Sequence, residues 1–146
     1  MHTLIEITDR DGNVLEPDWL ARAEGVHRQL RPHLPADYAA RMRQIFAGGG
    51  RMAVAARGEQ VLGLAVWRHT HKTFATELYV DDLVTDEAQR STGVGRALLG
   101  LCERRGRELG AETLSLDSGT QRQQAHKFYF REGMVVSSFH FVRPYK

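Results

Sequence analysis

Phe74-Ala75-Thr76-Glu77-Leu78-Tyr79-Val80-Asp81-Asp82-Leu83-Val84-Thr85 reads as a strand, and Arg90-Ser91-Thr92-Gly93-Val94-Gly95 behind it as a glycine-bearing turn into a helix. One parity of the strand carries Phe74, Leu78, Val80 and Val84; the other carries Glu77, Tyr79 and Asp81. Such period-two alternation gives a strand one apolar and one polar face. Beyond Gly95, the residues Leu98, Leu101, Cys102 and Leu109 recur at helical spacing, and Gly110 supplies a stop.

Strand, glycines, helix is an order of elements that binds phosphate. The first N–H groups of a helix have no partner within it, and with the positive end of the macrodipole they attract an anion without any cationic side chain. Gly93 and Gly95 allow the backbone to approach closely and to take φ angles that other residues avoid. A lone Gly-x-Gly equally suits an ordinary strand-to-helix turn. Two familiar phosphate loops fit poorly. A P-loop ends in Gly-Lys-Ser/Thr, whereas Gly95 is followed by Arg96-Ala97. A dinucleotide fingerprint wants Gly or Ala where Leu98 stands, and its first glycine close behind the strand, whereas Thr85 and Gly93 are well separated. Asp117 is suitably spaced for a ribose carboxylate, which keeps a nucleotide-cofactor oxidoreductase as the last alternative.

Arg90-Ser91-Thr92-Gly93-Val94-Gly95 resembles the Q/R-x-x-G-x-G/A pyrophosphate loop of the GCN5-related N-acetyltransferases, and Asp82-Leu83-Val84-Thr85 resembles the end of that family's central strand. Further on, Ala125-His126-Lys127-Phe128-Tyr129-Phe130-Arg131-Glu132-Gly133-Met134 is similar to its A-x-x-F-Y-x-x-x-G-F segment. The two motifs stand in the family's order and spacing. The resemblance is close from about Arg51 to the C-terminus and holds in outline over the N-terminal third. Three positions depart from the pattern. Ser91 stands where relatives often have glycine, Arg122 where many have an asparagine near the pantetheine arm, and Met134 in place of the usual phenylalanine. Ser118-Gly119-x-x-Arg122-x-x-Ala125-His126 is similar to the variant of small-amine acetylating branches.

A chain of 146 residues, 42% apolar and 26% charged, has the length and composition of one globular domain with a proper core. Its net charge of +2 is too small to argue for nucleic acid. Cys102 is the single cysteine, so no internal disulfide can form, and its place in the helical pattern predicts a buried, inert thiol. No signal peptide or long apolar run is seen, and the expectation is a cytoplasmic protein with no membrane partner. The remaining elements are a strand over 3–8, a turn over 9–13, a helix opened by Glu16-Pro17-Asp18, and a second from about Ala36 to Gly48. Strands follow over 51–57 and 60–69, His69-Thr70-His71-Lys72 reads as a turn, and a further strand spans 113–117. Residues 121–132 read as helix and 135–142 as one or two strands. The His-x-His pair lacks further ligands, so no metal is expected, and His2, His27, His33, His126 and His140 read as solvated.

The resemblance implies a single α/β domain over residues 1–146, with a mixed, mostly antiparallel sheet flanked by about four helices. It implies acetyl-CoA as co-substrate and transfer of the acetyl group to a primary amine of a small molecule, directly within a ternary complex. Protein or peptide acceptors, and a CoA-binding sensor without chemistry, are the alternatives; homodimers are common in the family. By the same resemblance the acyl carbonyl lies on backbone N–H groups of the central strand, at Leu83, Val84 and Thr85. The pyrophosphate lies on Arg90, Ser91, Thr92, Gly93, Val94, Gly95 and Arg96. Tyr129 is the implied acid for the leaving thiolate, since a phenol stays protonated at neutral pH. Asp81 matches the carboxylate that polyamine-acetylating relatives use as base, acting through water. Glu77, Tyr79 and Asp82 are then substrate-binding. A β-bulge, frequent at this place in the family, would present Asp82 instead. The plainer alternative is that Asp81-Asp82 pairs with arginines across the sheet.

Overall fold

The computed structural model describes residues 1–90 and 92–145; Ser91, named above as a cofactor contact, lies outside the described residues. The elements in chain order are β1 (Thr3–Glu6), α1 (Pro17–Leu30), α2 (Tyr38–Ala47), β2 (Gly50–Arg57), β3 (Gln60–His71), β4 (Thr76–Thr85), a 3-10 turn (Glu87–Gln89), α3 (Val94–Glu108), β5 (Thr113–Leu116) and α4 (Gln123–Arg131). The strands form one sheet in the order β1-β2-β3-β4-β5. β1 to β4 pair antiparallel, with Arg57↔Gln60 closing the β2–β3 hairpin. β4 reaches β5 only by way of α3, the crossover of a parallel pair, and the sheet is therefore mixed. The chain divides into a larger unit from Met1 to Ser115 and a smaller one from Leu116 onward.

In the larger unit, neighbouring residues of one strand serve opposite faces. Leu64 and Val66 of β3, with Met52, Val54 and Val84, join Leu20, Ala23 and Val26 of α1 and Tyr38, Met42 and Phe46 of α2 in one buried cluster. Gly63, the residue before Leu64, faces α3 instead. A Cβ there would lie 2.7 Å from Val94 Cγ1 and 2.8 Å from the Val84 carbonyl, so only glycine lets the start of α3 sit this close to β3. Gly106 plays the same part further along α3, where a Cβ would come within 3.1 Å of Leu78 Cβ. Pro17 opens α1 at a position where its missing N–H costs nothing, and Asp37 caps α2 by accepting from the Ala40 N–H.

The β3–β4 register slips at one point. Val66 faces Asp82 while Trp67 faces Val80, which leaves Asp81 as an extra residue in a bulge. The slip corrects the simple parity read from the sequence. Leu78 and Val80 share the α3 face, but Val84, beyond the bulge, packs into the α1/α2 cluster. Three boundaries also differ. Phe74 lies outside β4 and is exposed, and β3 runs through His69, Thr70 and His71, which the sequence suggested as a turn. No strand forms over 135–142: Val135, Val136, Phe139, Phe141 and Val142 are exposed and without regular structure. Alternating apolar residues are a weak strand signal when no pairing partner fixes them.

Candidate functional site

α3 begins without a side-chain cap. Its N-cap residue, Gly93, has φ +83°, in the left-handed region that glycine enters without strain. The first bond of the helical ladder is Ala97 N–H to the Gly93 carbonyl at 3.0 Å, so the N–H groups before it point out of the helix end. Ahead of it, the Thr92 hydroxyl donates to the Gln89 carbonyl at 2.5 Å and ties the turn to Glu87–Gln89. Val94 is buried under Gly63, which anchors this helix end against the sheet.

Beside it runs the end of β4. The Asp86 N–H donates to the Leu62 carbonyl at 2.8 Å. Amides of one strand alternate in direction, so the Val84 N–H also faces β3, whereas those of Leu83 and Thr85 face away from it. β5 starts level with the other end of β4, where Glu112 N–H donates to the Thr76 carbonyl at 2.8 Å. With four residues against ten, it is too short to accompany β4 to Thr85. Of the three amides singled out in the sequence, Leu83 and Thr85 are thus directed outward from the β3 ladder and Val84 is used within it.

The α1/α2 face of β4 carries Glu77, Asp81 and Asp82, each bonded to a cation. Lys72 Nζ lies 3.0 Å from Glu77 Oε2, which also accepts from the Ser115 hydroxyl at 3.1 Å. Arg68 Nε donates to Asp81 Oδ2 at 2.7 Å. Arg31 donates to Asp82 Oδ1 through Nε at 2.9 Å and Nη2 at 2.7 Å, and through Nη2 to the Asp81 carbonyl at 3.2 Å. The other oxygen of Asp82 accepts from His27 Nε2 at 2.6 Å, and His27 Nδ1 lies 2.7 Å from the Tyr38 hydroxyl. Tyr79 stands on the same face, between Glu77 and the bulge.

These contacts separate the two aspartates. Burial raises the Asp81 carboxyl above its ordinary value, and Arg68 offsets this only in part. Burial acts on Asp82 too, but hydrogen bonds from His27 and Arg31 outweigh it and hold that carboxyl below its ordinary value. Asp82 has both oxygens engaged, whereas Oδ1 of Asp81 has no partner among the described residues.

In the smaller unit, α4 presents Tyr129, which is buried and meets Phe128 edge-on with ring centroids 5.5 Å apart. Burial pushes its phenol above the ordinary tyrosine value, and the hydrogen-bonded Arg122 guanidinium offsets only part of this. His126 Nε2 lies 2.9 Å from the Gly119 carbonyl, holding the loop to the helix.

The model of the acetyltransferase (GNAT) family matches residues 16–134. The chain belongs to this family. Among GNAT relatives, an uncharacterized N-acetyltransferase, YhdJ, of Bacillus subtilis is 40% identical over 46% of this chain and 48% of its own length. An aminoalkylphosphonate N-acetyltransferase of Salmonella typhimurium is 36% identical over 44% of this chain and 42% of its own. The chain thus matches about half the length of these curated relatives. The aminoglycoside N-acetyltransferase AAC(6')-Iy, solved in complex with CoA, shares the fold at a TM-score of 0.82 and 17% identity, covering 99% of this chain and 95% of that one.

One component of this carboxylate network is absent from the expectations drawn from the sequence. His27 counted there as solvated, yet it is 1% exposed and central to the Asp82 network. A signal was present: Leu20, Ala23, His27 and Leu30 share one helical stripe, and a histidine on an apolar stripe is buried with partners. Cys102 is buried as expected, and burial pushes its thiol up to about 12. The His69 and His71 rings meet at a tilt of 50° with centroids 4.5 Å apart, and no group of three metal-ligating side chains gathers among the described residues. No helix among them is long and apolar enough to cross a membrane.

Proposed function

We propose that the chain transfers an acetyl group from acetyl-CoA to the primary amine of a small molecule, directly and without an acyl-enzyme. The observation that carries the reading is the uncapped start of α3 behind left-handed Gly93, next to a strand end whose Leu83 and Thr85 amides face away from β3. Thr92, Gly93, Val94, Gly95 and Arg96, with Arg90 and Ser91, would hold the pyrophosphate on N–H groups and the helix dipole. The Leu83 and Thr85 N–H groups would hold the acyl oxygen and the arm behind it, stabilising negative charge as it develops.

Acetyl transfer turns an ammonium and a thioester into an amide, a thiol and one released proton. Asp81 suits the removal of that proton: its pKa is raised, and Oδ1 is open to a water or to the amine itself. Asp82, doubly bonded and acidic, suits positioning. Tyr129 remains protonated and suits the donation of a proton to sulfur. Cys102, with its thiol pushed up to about 12, is no nucleophile at neutral pH, which favours direct transfer.

The test is thiol release from acetyl-CoA across a panel of aminoalkylphosphonates, polyamines, aminoglycosides, amino acids and short peptides. Release that depends on a small amine supports the reading. Release with peptides alone moves the acceptor to protein, and acetyl-CoA binding without release from any amine leaves a sensor. Two variants accompany the test. Asp81→Asn should lower kcat/KM about tenfold, below the usual range for acid–base groups because solvent reaches Asp81. The acidic limb of its pH profile, lying above the ordinary carboxylate range in the wild type, should vanish. Gly93→Ala meets no steric obstacle but forces a left-handed residue, at about 1–2 kcal/mol. Acetyl-CoA affinity by calorimetry should fall about tenfold.

A further inference from the structure

The carboxylates on the α1/α2 face of β4 are each paired with a cation of the chain, and this bears on which amine the face accepts; the inference rests on the acetyl-transfer reading above. In all three pairs the cation is the more exposed partner. Lys72 is 44% exposed against 11% for Glu77, Arg31 53% against 14% for Asp82, and Arg68 32% against 29% for Asp81. A molecule arriving from solvent meets the Arg31 guanidinium before Asp82 and the Lys72 ammonium before Glu77, whereas Asp81 is about as exposed as its Arg68 partner. Arg31 and Arg68 bracket the Asp81-Asp82 pair, and Arg31 Nη1 and Arg68 Nη2 have no acceptor among the described residues. Each guanidinium thus keeps one nitrogen able to donate a charge-assisted hydrogen bond to a carboxylate, phosphate or phosphonate. Within the Asp81-Asp82 pair, the one carboxylate oxygen without a bond among the described residues is Asp81 Oδ1.

We propose that the acceptor is zwitterionic: a primary amine joined by a short aliphatic chain to an anionic group. The anion docks on Arg31 and Arg68, and the amine nitrogen lies at Asp81 Oδ1. In the reaction the N–C amide bond forms as the thioester C–S bond breaks. One proton of the ammonium leaves through Asp81 to solvent, and a second ends on the sulfur. Acceptors carrying only positive charge meet like charge on Lys72, Arg31 and Arg68 beside the carboxylates.

Aminopropylphosphonate, aminopropanol and diaminopropane differ only in the group remote from the amine, and thiol release from acetyl-CoA compares them on the full chain. The expected order places aminopropylphosphonate first in kcat/KM by about tenfold or more, the size of a well-placed charge pair. Arg31→Gln should raise its KM and pull the ratio against aminopropanol toward one. A preference for diaminopropane or aminopropanol overturns this proposal and leaves acetyl transfer to amines standing. A ratio unmoved by Arg31→Gln overturns the seat of the anion. No release from any of the three, with acetyl-CoA still raising Tm, overturns the small-amine reading and this proposal with it.

Discussion

Tyr129→Phe is expected to lower turnover about a hundredfold, the lower end of what a positioned acid supplies, and to leave acetyl-CoA affinity nearly unchanged. The substitution keeps the ring, its burial and its edge contact with Phe128, and removes the hydroxyl alone. A group held above the ordinary tyrosine pKa is protonated at neutral pH, so it has a proton to donate there. The expected signature is a fall in kcat, with the calorimetric dissociation constant of acetyl-CoA preserved. If affinity collapses while turnover per bound complex survives, Tyr129 is a packing residue and another group protonates the thiolate.

Asp82→Ala should act on stability before chemistry. It leaves His27, 1% exposed, and Arg31 without the acceptor that both use. Removing one member of a buried ionic network costs about 3–5 kcal/mol, because the remaining groups stay desolvated and unpaired. Arg31 remains half in water, so the lower end, about 3 kcal/mol, is expected in urea unfolding. The same network has a pH signature. The folded pKa of Asp82 lies below its unfolded value, so its contribution is present in full above the ordinary aspartate range. That contribution is lost as pH falls through the folded value, and in Asp82→Ala this part of the acid destabilisation should be missing. A variant as stable as the wild type, with an unchanged acid limb, would show that the network carries no stability.

Expectations that depended on local order hold around the glycine turn, though the strand expected over 135–142 and the turn expected at 69–72 do not form. The strand over 76–85, the glycine turn and helix α3 follow from alternation, from a left-handed position that suits glycine, and from apolar residues at helical spacing. Each of these is set by residues adjacent in the chain. The family motifs are of the same kind, short runs whose residue types are constrained by what the backbone does within a few positions.

The amino-acid sequence by itself determined the order of elements from β1 to α4, the α/β class, the family and the residues from which an acetyl-transfer site would be drawn. Only the tertiary structure decided which of those residues are still open to a ligand. The bulge at Asp81 arises from register between β3 and β4, strands joined by a turn but paired residue by residue through space, and it reverses the face on which Val84 lies. Burial of His27 and the engagement of both Asp82 oxygens depend on α1 crossing β4, a contact of residues more than fifty positions apart. Local propensity describes one residue's backbone, whereas the availability of a carboxylate oxygen depends on which distant donor reaches it first. For that physical reason, Asp81 and Asp82 look alike in the chain and differ in the fold.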